Sequence, residues 1–99
     1  MIQAGYQVKE IVINPESSIS LQKHEYRSEH WIIVEGEGLI TRNNQKITLS
    51  VNQEIFIPKG MKHRITNKKK SSLKFIEVQI GKYLGEDDII RYVDQYGRV

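Results

Sequence analysis

The sequence predicts an all-β fold, a barrel or two-sheet sandwich of short strands, and three observations carry that prediction. Apolar residues recur at alternate positions in several short runs, the spacing of a strand with one covered face. Turn signals built from Gly, Pro, Asn and Ser interrupt those runs at frequent intervals. No convincing long helix separates them.

The elements follow in order. Val8 to Ile13 alternates weakly and stops at Asn14-Pro15, which reads as a first, edge-type strand. Ser18 to Glu25 alternates next, with Ile19 and Leu21 on one face and Ser18, Ser20, Gln22 and His24 on the other. Tyr26 continues the polar face, and Glu29 rejoins it only if one residue bulges out between Tyr26 and Glu29. His30 to Val34 is apolar on both faces, with Glu29, Trp31 and Ile33 on one and His30, Ile32 and Val34 on the other. A strand covered on both sides needs a second surface, so Ile32 and Val34 are expected in a packed edge or a homodimer interface.

Gly36-Glu37-Gly38 turns the chain, Leu39 to Arg42 is a short strand, and Asn43-Asn44 signals a hairpin back through Lys46 to Ser50. Val51-Asn52-Gln53 turns again, and Glu54 to Ile57 runs into Pro58. His63 to Asn67 and Leu73 to Ile80 are expected to form a last hairpin across Lys68-Lys69-Lys70. Gly81 breaks the pattern, and Tyr83 to Val99 reads equally as a short helix or a final outer strand.

Length and composition bound the rest. The 99 residues are expected to make one domain, 1–99, and 38% hydrophobic with 27% charged residues is ordinary for a globular chain rather than a disordered tail. With no cysteine, disulfides and thiolate metal sites are excluded. The net charge of +3 is concentrated in the lysine triplet, which reads as a solvated turn tip rather than a nucleic-acid patch. A generally basic surface suits anionic small molecules. Met1-Ile2-Gln3-Ala4-Gly5 has neither the basic start nor the apolar run of a secretory signal, and no stretch reaches membrane-spanning length. A cytoplasmic location, with no nucleic-acid or membrane partner, is therefore expected.

Two segments carry the chemistry: Gln22 to Trp31, closed by Gly36, and Pro58-Lys59-Gly60-Met61-Lys62-His63-Arg64. In the second, Pro fixes φ and Gly supplies a backbone shape other residues resist, so the turn sets where His63 points. Imidazoles from His24 and His63, a carboxylate oxygen from Glu29 and an amide oxygen from Gln22 would suit a divalent ion. The donors are nitrogen and oxygen only, which fits zinc, iron, manganese, cobalt or nickel without choosing among them. His30 points to the opposite face and is not expected to ligate; Tyr26 reads either as a ligand or substrate contact, or as an aromatic lining the barrel mouth.

Glu77 shares a face with Leu73 and Phe75, so it is either an inward carboxylate that must be paired, metal-bound or functional, or a rim residue. Gln79 has the same two readings. Arg27, Lys62, Arg64, Arg91 and Arg98 are candidates for an anion, Arg27 and Arg64 flanking the two segments. Glu86-Asp87-Asp88 reads as a cap on the terminal segment or as partners for those arginines.

At these residues the chain resembles a cupin. The first cupin motif, His-x-His, three or four residues, Glu, six residues, Gly, is met by Gln22-x-His24, Glu29 and Gly36, with Gln in place of the first His. The second, Gly, five residues, Pro-x-Gly-x-x-His-x-x-x-Asn, is met by Pro58, Gly60, His63 and Asn67, with Asn52 where the leading Gly stands. Gln-x-His, Arg-x-Glu-His-Trp and the tail from Ile76 through Tyr83-Leu84-Gly85-Glu86-Asp87-Asp88-Ile89 to Tyr96-Gly97-Arg98 resemble the C-terminal domain of type II mannose-6-phosphate isomerases. That resemblance runs from about Val12 to Arg98. Glu25 and Tyr26 replace two histidines usual in the family, and the N-terminal sugar-nucleotide pyrophosphorylase domain of its larger members is not expected within these 99 residues.

The resemblance implies a cupin double-stranded β-helix and a metal-dependent isomerase interconverting mannose 6-phosphate and fructose 6-phosphate for GDP-mannose and polysaccharide synthesis. A single strand histidine is more often structural, but the motif context assigns His24, Glu29 and His63 to the metal, with Gln22 as a weaker fourth. Glu77 would shuttle the proton, and Arg27, Arg64 and Arg98 would hold the phosphate. The alternative is a non-catalytic sugar- or sugar-phosphate-binding cupin acting beside a separately encoded guanylyltransferase.

Overall fold

The computed structural model describes residues 2–3 and 5–92, and every regular element among them is a strand. In order these are β1 (Ile2–Gln3), β2 (Tyr6–Ile13), β3 (Ser17–Ser18), β4 (Leu21–Lys23), β5 (Arg27–Glu35), β6 (Gly38–Arg42), β7 (Gln45–Leu49), β8 (Glu54–Ile57), β9 (His63–Asn67), β10 (Leu73–Gly81) and β11 (Ile90–Tyr92). One sheet has the order β1-β2-β10-β5-β8; the other is β11-β4-β9-β6-β7, with β3 also on β9. All pairings are antiparallel. The two sheets face each other as a double-stranded β-helix.

Alternation decides what lies between them. Trp31 and Ile33 from β5, Phe75 and Leu73 from β10, Ile57 from β8, Ile65 from β9 and Ile40 from β6 are all at least 98% buried. The inner face of the first sheet changes character along its length. Ile13 pairs with Leu73, and Ile11 with Phe75, at the apolar end; Lys9 pairs with Glu77, and Gln7 with Gln79, at the other. Across β10, Glu77 lies opposite Trp31 and Gln79 opposite Glu29. The barrel is thus packed at one end and polar at the other, because the same period-two face switches residue type.

Most of the expected strands are present, with four differences. The predicted bulge between Tyr26 and Glu29 is instead a bend at Glu25–Tyr26, where the chain leaves one sheet for the other; Arg27 and Glu29 then fall on the inner face together. The strand expected over Ser18 to Glu25 is split into β3 and β4, both paired with β9. The hairpin expected across the lysines is a crossover, because β9 and β10 belong to different sheets and each turns its apolar face to the shared core. Among the described residues of the terminal segment there is no helix, only a loop and three-residue β11 on β4; residues 93–99, including Arg98, lie outside the described residues. β2 is an edge over most of its length, as expected, with two-residue β1 covering its start.

Two glycines are required by close approach. Gly36 has φ +87°, and a Cβ there would meet the Ser72 carbonyl oxygen at 2.8 Å; at Gly81 it would lie 2.2 Å from the Tyr26 carbonyl oxygen. Asn52, where the motif has glycine, has φ 74°, the left-handed region that asparagine tolerates.

On the outer face of the first sheet, Ile32 is half-buried and Val34 is 42% exposed, beside exposed Val12, Phe56 and Ile80. The lysine crossover is fixed by Asn67, which is 1% exposed. The two N–H groups of its amide nitrogen serve three carbonyls, of Ile13 (3.1 Å), Asn14 (3.1 Å) and Ser71 (2.8 Å), one N–H being shared, and its oxygen accepts from Lys69 N at 3.0 Å. Asn67→Ala leaves these groups without that partner and is expected to cost about 2–4 kcal/mol, a drop in Tm of roughly 4–8 °C per kcal/mol. A thermal melt checks this; a loss under about 1 kcal/mol would show that the corner holds without the amide.

Candidate metal centre

His24, Glu29 and His63 converge, with one ligand atom from each within 4.8 Å of the others, and all three are buried. They arrive from different elements: Glu29 from β5, His63 from the start of β9, and His24 from the bend after β4. The bend is held on both sides. Gly60 N, in the Pro58 turn, donates to the His24 carbonyl at 2.8 Å, and the Asp88 carboxylate accepts from Glu25 N (2.8 Å) and Tyr26 N (3.0 Å).

The imidazoles are oriented by carbonyls. His24 Nδ1 lies 2.6 Å from the Asp88 carbonyl oxygen and His63 Nδ1 2.9 Å from that of Met61. A carbonyl can only accept, so each Nδ1 carries a proton and each Nε2 is the ring atom left to a ligand, that of His24 lying 3.4 Å from Arg27 Nη2. His24 Nε2 is 3.3 Å from Glu29 Oε2, and the two rings are 5.1 Å apart. Burial foremost lowers the His63 pKa, keeping the ring neutral. Two ring nitrogens and a carboxylate, each with its outer partner in place, fit a divalent ion.

The carboxylate of Glu29 is 1% exposed. Oε2 accepts from Arg27 Nε at 2.8 Å, and Oε1 from the Trp31 indole N–H at 2.9 Å. Burial works to raise its pKa, but a hydrogen bond from Glu77 and the interactions with His24, Arg27 and His63 outweigh it and hold Glu29 at about 2. Glu77 goes the other way: burial, then the hydrogen bond and the charge of Glu29, push it up to about 8. The pair holds one proton, and Glu77 has it.

A cavity of about 210 Å³ opens over these groups, lined also by Lys9, Gln22, Arg27, Gln79, Glu86 and Arg91. Gln22 lies opposite His63, but its amide nitrogen turns to the Ser20 carbonyl (3.3 Å) and hydroxyl (3.1 Å). Of the expected cations, Arg27 and Arg91 line the cavity. Arg64 alternates with inward His63 and so lies on the opposite face of β9, while Lys62 stacks over the Tyr92 ring at 4.4 Å. Tyr26 is 58% exposed and packs edge-on against Tyr83, outside the cavity lining. His30 is on the outer face as expected, stacked on Phe56.

Lys9 and Asp88 were not among the expected site residues. Lys9 ion-pairs with Glu86 at the cavity. Its inward phase with Ile11 and Ile13 was readable from the alternation. Among the described residues Asp88 neither caps a helix nor pairs with an arginine; it clamps the bend that carries His24, and no local pattern signals a contact 64 residues away.

The fold and the donor set define a cupin. A cupin protein from Bacteroides fragilis superposes with a TM-score of 0.73 at 20% identity, over 98% of this chain and 79% of that one. The family described as "Mannose-6-phosphate isomerase C-terminal" matches residues 2–94, and the chain belongs to that family. Over 93 residues it is 50% identical to the xanthan biosynthesis protein XanB of Xanthomonas campestris pv. campestris (strain B100) and 50% identical to a mannose-1-phosphate guanylyltransferase of Salmonella montevideo. Each match covers 94% of this chain and 20% of the relative, so the chain spans about a fifth of their length.

The Glu77–Glu29 pair gives a pH signature. A carboxyl with a raised folded pKa destabilises the folded state as pH rises, here from the model-compound 4.5 towards about 8. Glu29 contributes the opposite way, its stability being lost as pH falls from 4.5 to about 2. Glu77→Gln keeps an N–H donor for Glu29 without the titration, so in metal-free protein it is expected to flatten the fall across the upper window by up to ~1.4 kcal/mol per pH unit. Urea melts at the two ends of that window check this. Equal falls in both proteins would place the proton elsewhere.

Proposed function

We propose that the domain is a metal-dependent sugar-phosphate isomerase, interconverting mannose 6-phosphate and fructose 6-phosphate in the supply of GDP-mannose for polysaccharide synthesis. One observation carries the reading: a buried carboxylic acid whose pKa is pushed up to about 8, Glu77, shares a cavity with Lys9, Arg27 and Arg91 beside the His24, Glu29 and His63 donors. The family match and the names of the two relatives support it.

Aldose–ketose isomerisation moves a proton between C1 and C2 of the open-chain sugar through an enediol. His24, Glu29 and His63, with Gln22 lining the same cavity, would hold a divalent ion, which would supply Lewis-acid stabilisation of the developing oxyanion. Glu77 in its ionised form takes the proton from C2 and returns it to C1, a task suited to a carboxyl with a pKa near the working pH, while the O2 hydroxyl proton passes to O1 so that the C2 carbonyl forms. Arg27, fixed by Glu29, adds positive charge beside the reacting carbons. Lys9 and Arg91 at the cavity hold the phosphate and so fix the carbons relative to Glu77. Glu86, now on Lys9, gives way to it.

A coupled assay of fructose 6-phosphate formation by metal-loaded protein tests this. Turnover is expected, with a fall of about a hundredfold or more in His63→Ala. No turnover above that variant ends the isomerase reading, and saturable binding of mannose 6-phosphate without conversion assigns the binding-domain alternative, in which a guanylyltransferase does the chemistry.

The apolar outer face around Ile32 and Val34 supports the homodimer. Ile32→Lys is expected to move sedimentation from dimer to monomer; a wild-type protein that sediments as a monomer at all concentrations ends that assignment.

A further inference from the structure

Gln79 is 1% exposed and lines the cavity, with Gln7 beside it on β2 and Glu29 beside it on β5. Its Oε1 accepts from Gln7 Nε2 at 3.1 Å, and Gln7 is itself 5% exposed. That bond sets which way the Gln79 amide faces. Its Nε2 has no hydrogen-bond partner of normal geometry. It comes near enough to Glu77 to favour that group's ionised form, yet even a bond there would use only one of its two N–H groups. Arg27 Nη1, in the same cavity and on a residue 5% exposed, is a second buried donor without an acceptor.

Two buried donors without acceptors are costly unless something that enters the cavity satisfies them. An apolar or cationic ligand would leave them unpaired, whereas a molecule carrying several hydroxyl or carbonyl oxygens would answer both. We propose that Gln79, aimed by Gln7, is a specificity-determining residue that donates a hydrogen bond from Nε2 to a hydroxyl or carbonyl oxygen of a polyhydroxylated ligand. Gln7 does not line the cavity and acts as a positioning residue. The inference rests on the sugar-phosphate reading above and adds the group that reads one of the sugar's oxygens. A site built to bond a hydroxyl rejects the analogue lacking it.

The test is titration calorimetry of metal-loaded wild type, Gln79→Met and Gln7→Leu with mannose 6-phosphate and its monodeoxy analogues. Gln79→Met keeps the volume and removes the donor; its affinity is expected to fall about tenfold or more, with metal content close to wild type and a melting temperature lowered by the loss of the acceptor for Gln7 Nε2. One deoxy analogue should bind wild type about tenfold more weakly yet bind Gln79→Met as well as the parent sugar does. Gln7→Leu leaves Gln79 in place and should lose about threefold, which serves as the reading if Gln79→Met does not fold. Unchanged affinity in whichever variant folds, or equal discrimination of every analogue by wild type and Gln79→Met, overturns the inference while leaving the isomerase reading standing. If wild type neither binds nor converts mannose 6-phosphate, the isomerase reading itself falls and takes this inference with it.

Discussion

A carboxylate that is 1% exposed needs compensation from every side, and Glu29 is the group around which the polar end of this barrel is built. Its two oxygens take the Arg27 guanidinium and the Trp31 indole N–H, both from its own strand two residues away, because the period of a strand places Arg27, Glu29 and Trp31 on one face. Glu77 contributes a proton from β10, and His24 closes the fourth side. Removing Glu29 would leave Arg27 as a buried, unpaired cation, so stability and chemistry are tied at this residue.

The site's precision comes from backbone rather than from side chains alone. Both imidazoles are fixed through Nδ1 to carbonyls, and the His24 carbonyl is itself taken by Gly60 N, so the two cupin segments are joined by a hydrogen bond between their main chains. β-sheet walls hold Glu29 and Glu77, while the loop between β10 and β11 supplies Asp88 to one side of the cavity and Glu86 to its mouth. A site fixed this way pays little reorganisation when a ligand enters, which is what preorganised charge stabilisation requires.

Strand alternation made most of the fold legible: β8 and β9 fall at the expected residues, and the inward phase of Glu29, Trp31 and Ile33 was readable from residue type. The convergence of His24, Glu29 and His63 was legible only through motif spacing, since nothing in a single strand says which other strand it will face. The crossover at the lysines was misread because a hairpin and a change of sheet need the same turn residues and the same inward alternation. Arg64 was misassigned to the cavity by nearness in sequence to His63, although adjacent strand residues point to opposite faces. Asp88 and the Gln7–Gln79 bond span 64 and 72 residues and leave no local trace.

The two histidines that the family's first motif usually carries, here Glu25 and Tyr26, are the reason for considering a domain that binds without turning over. The geometry weakens that reason. Both positions lie in the bend between sheets; Tyr26 is 58% exposed against Tyr83, and Glu25 pairs with Lys23 at 3.1 Å. What the bend requires of them is their backbone N–H groups, which Asp88 holds whatever the side chain. Substitution at these places therefore changes the rim and leaves the buried His24, Glu29 and His63 set complete, with Glu77 still beside it. The buried donors and these two positions are thus structurally separate, the first fixed by side chains and the second used through the main chain.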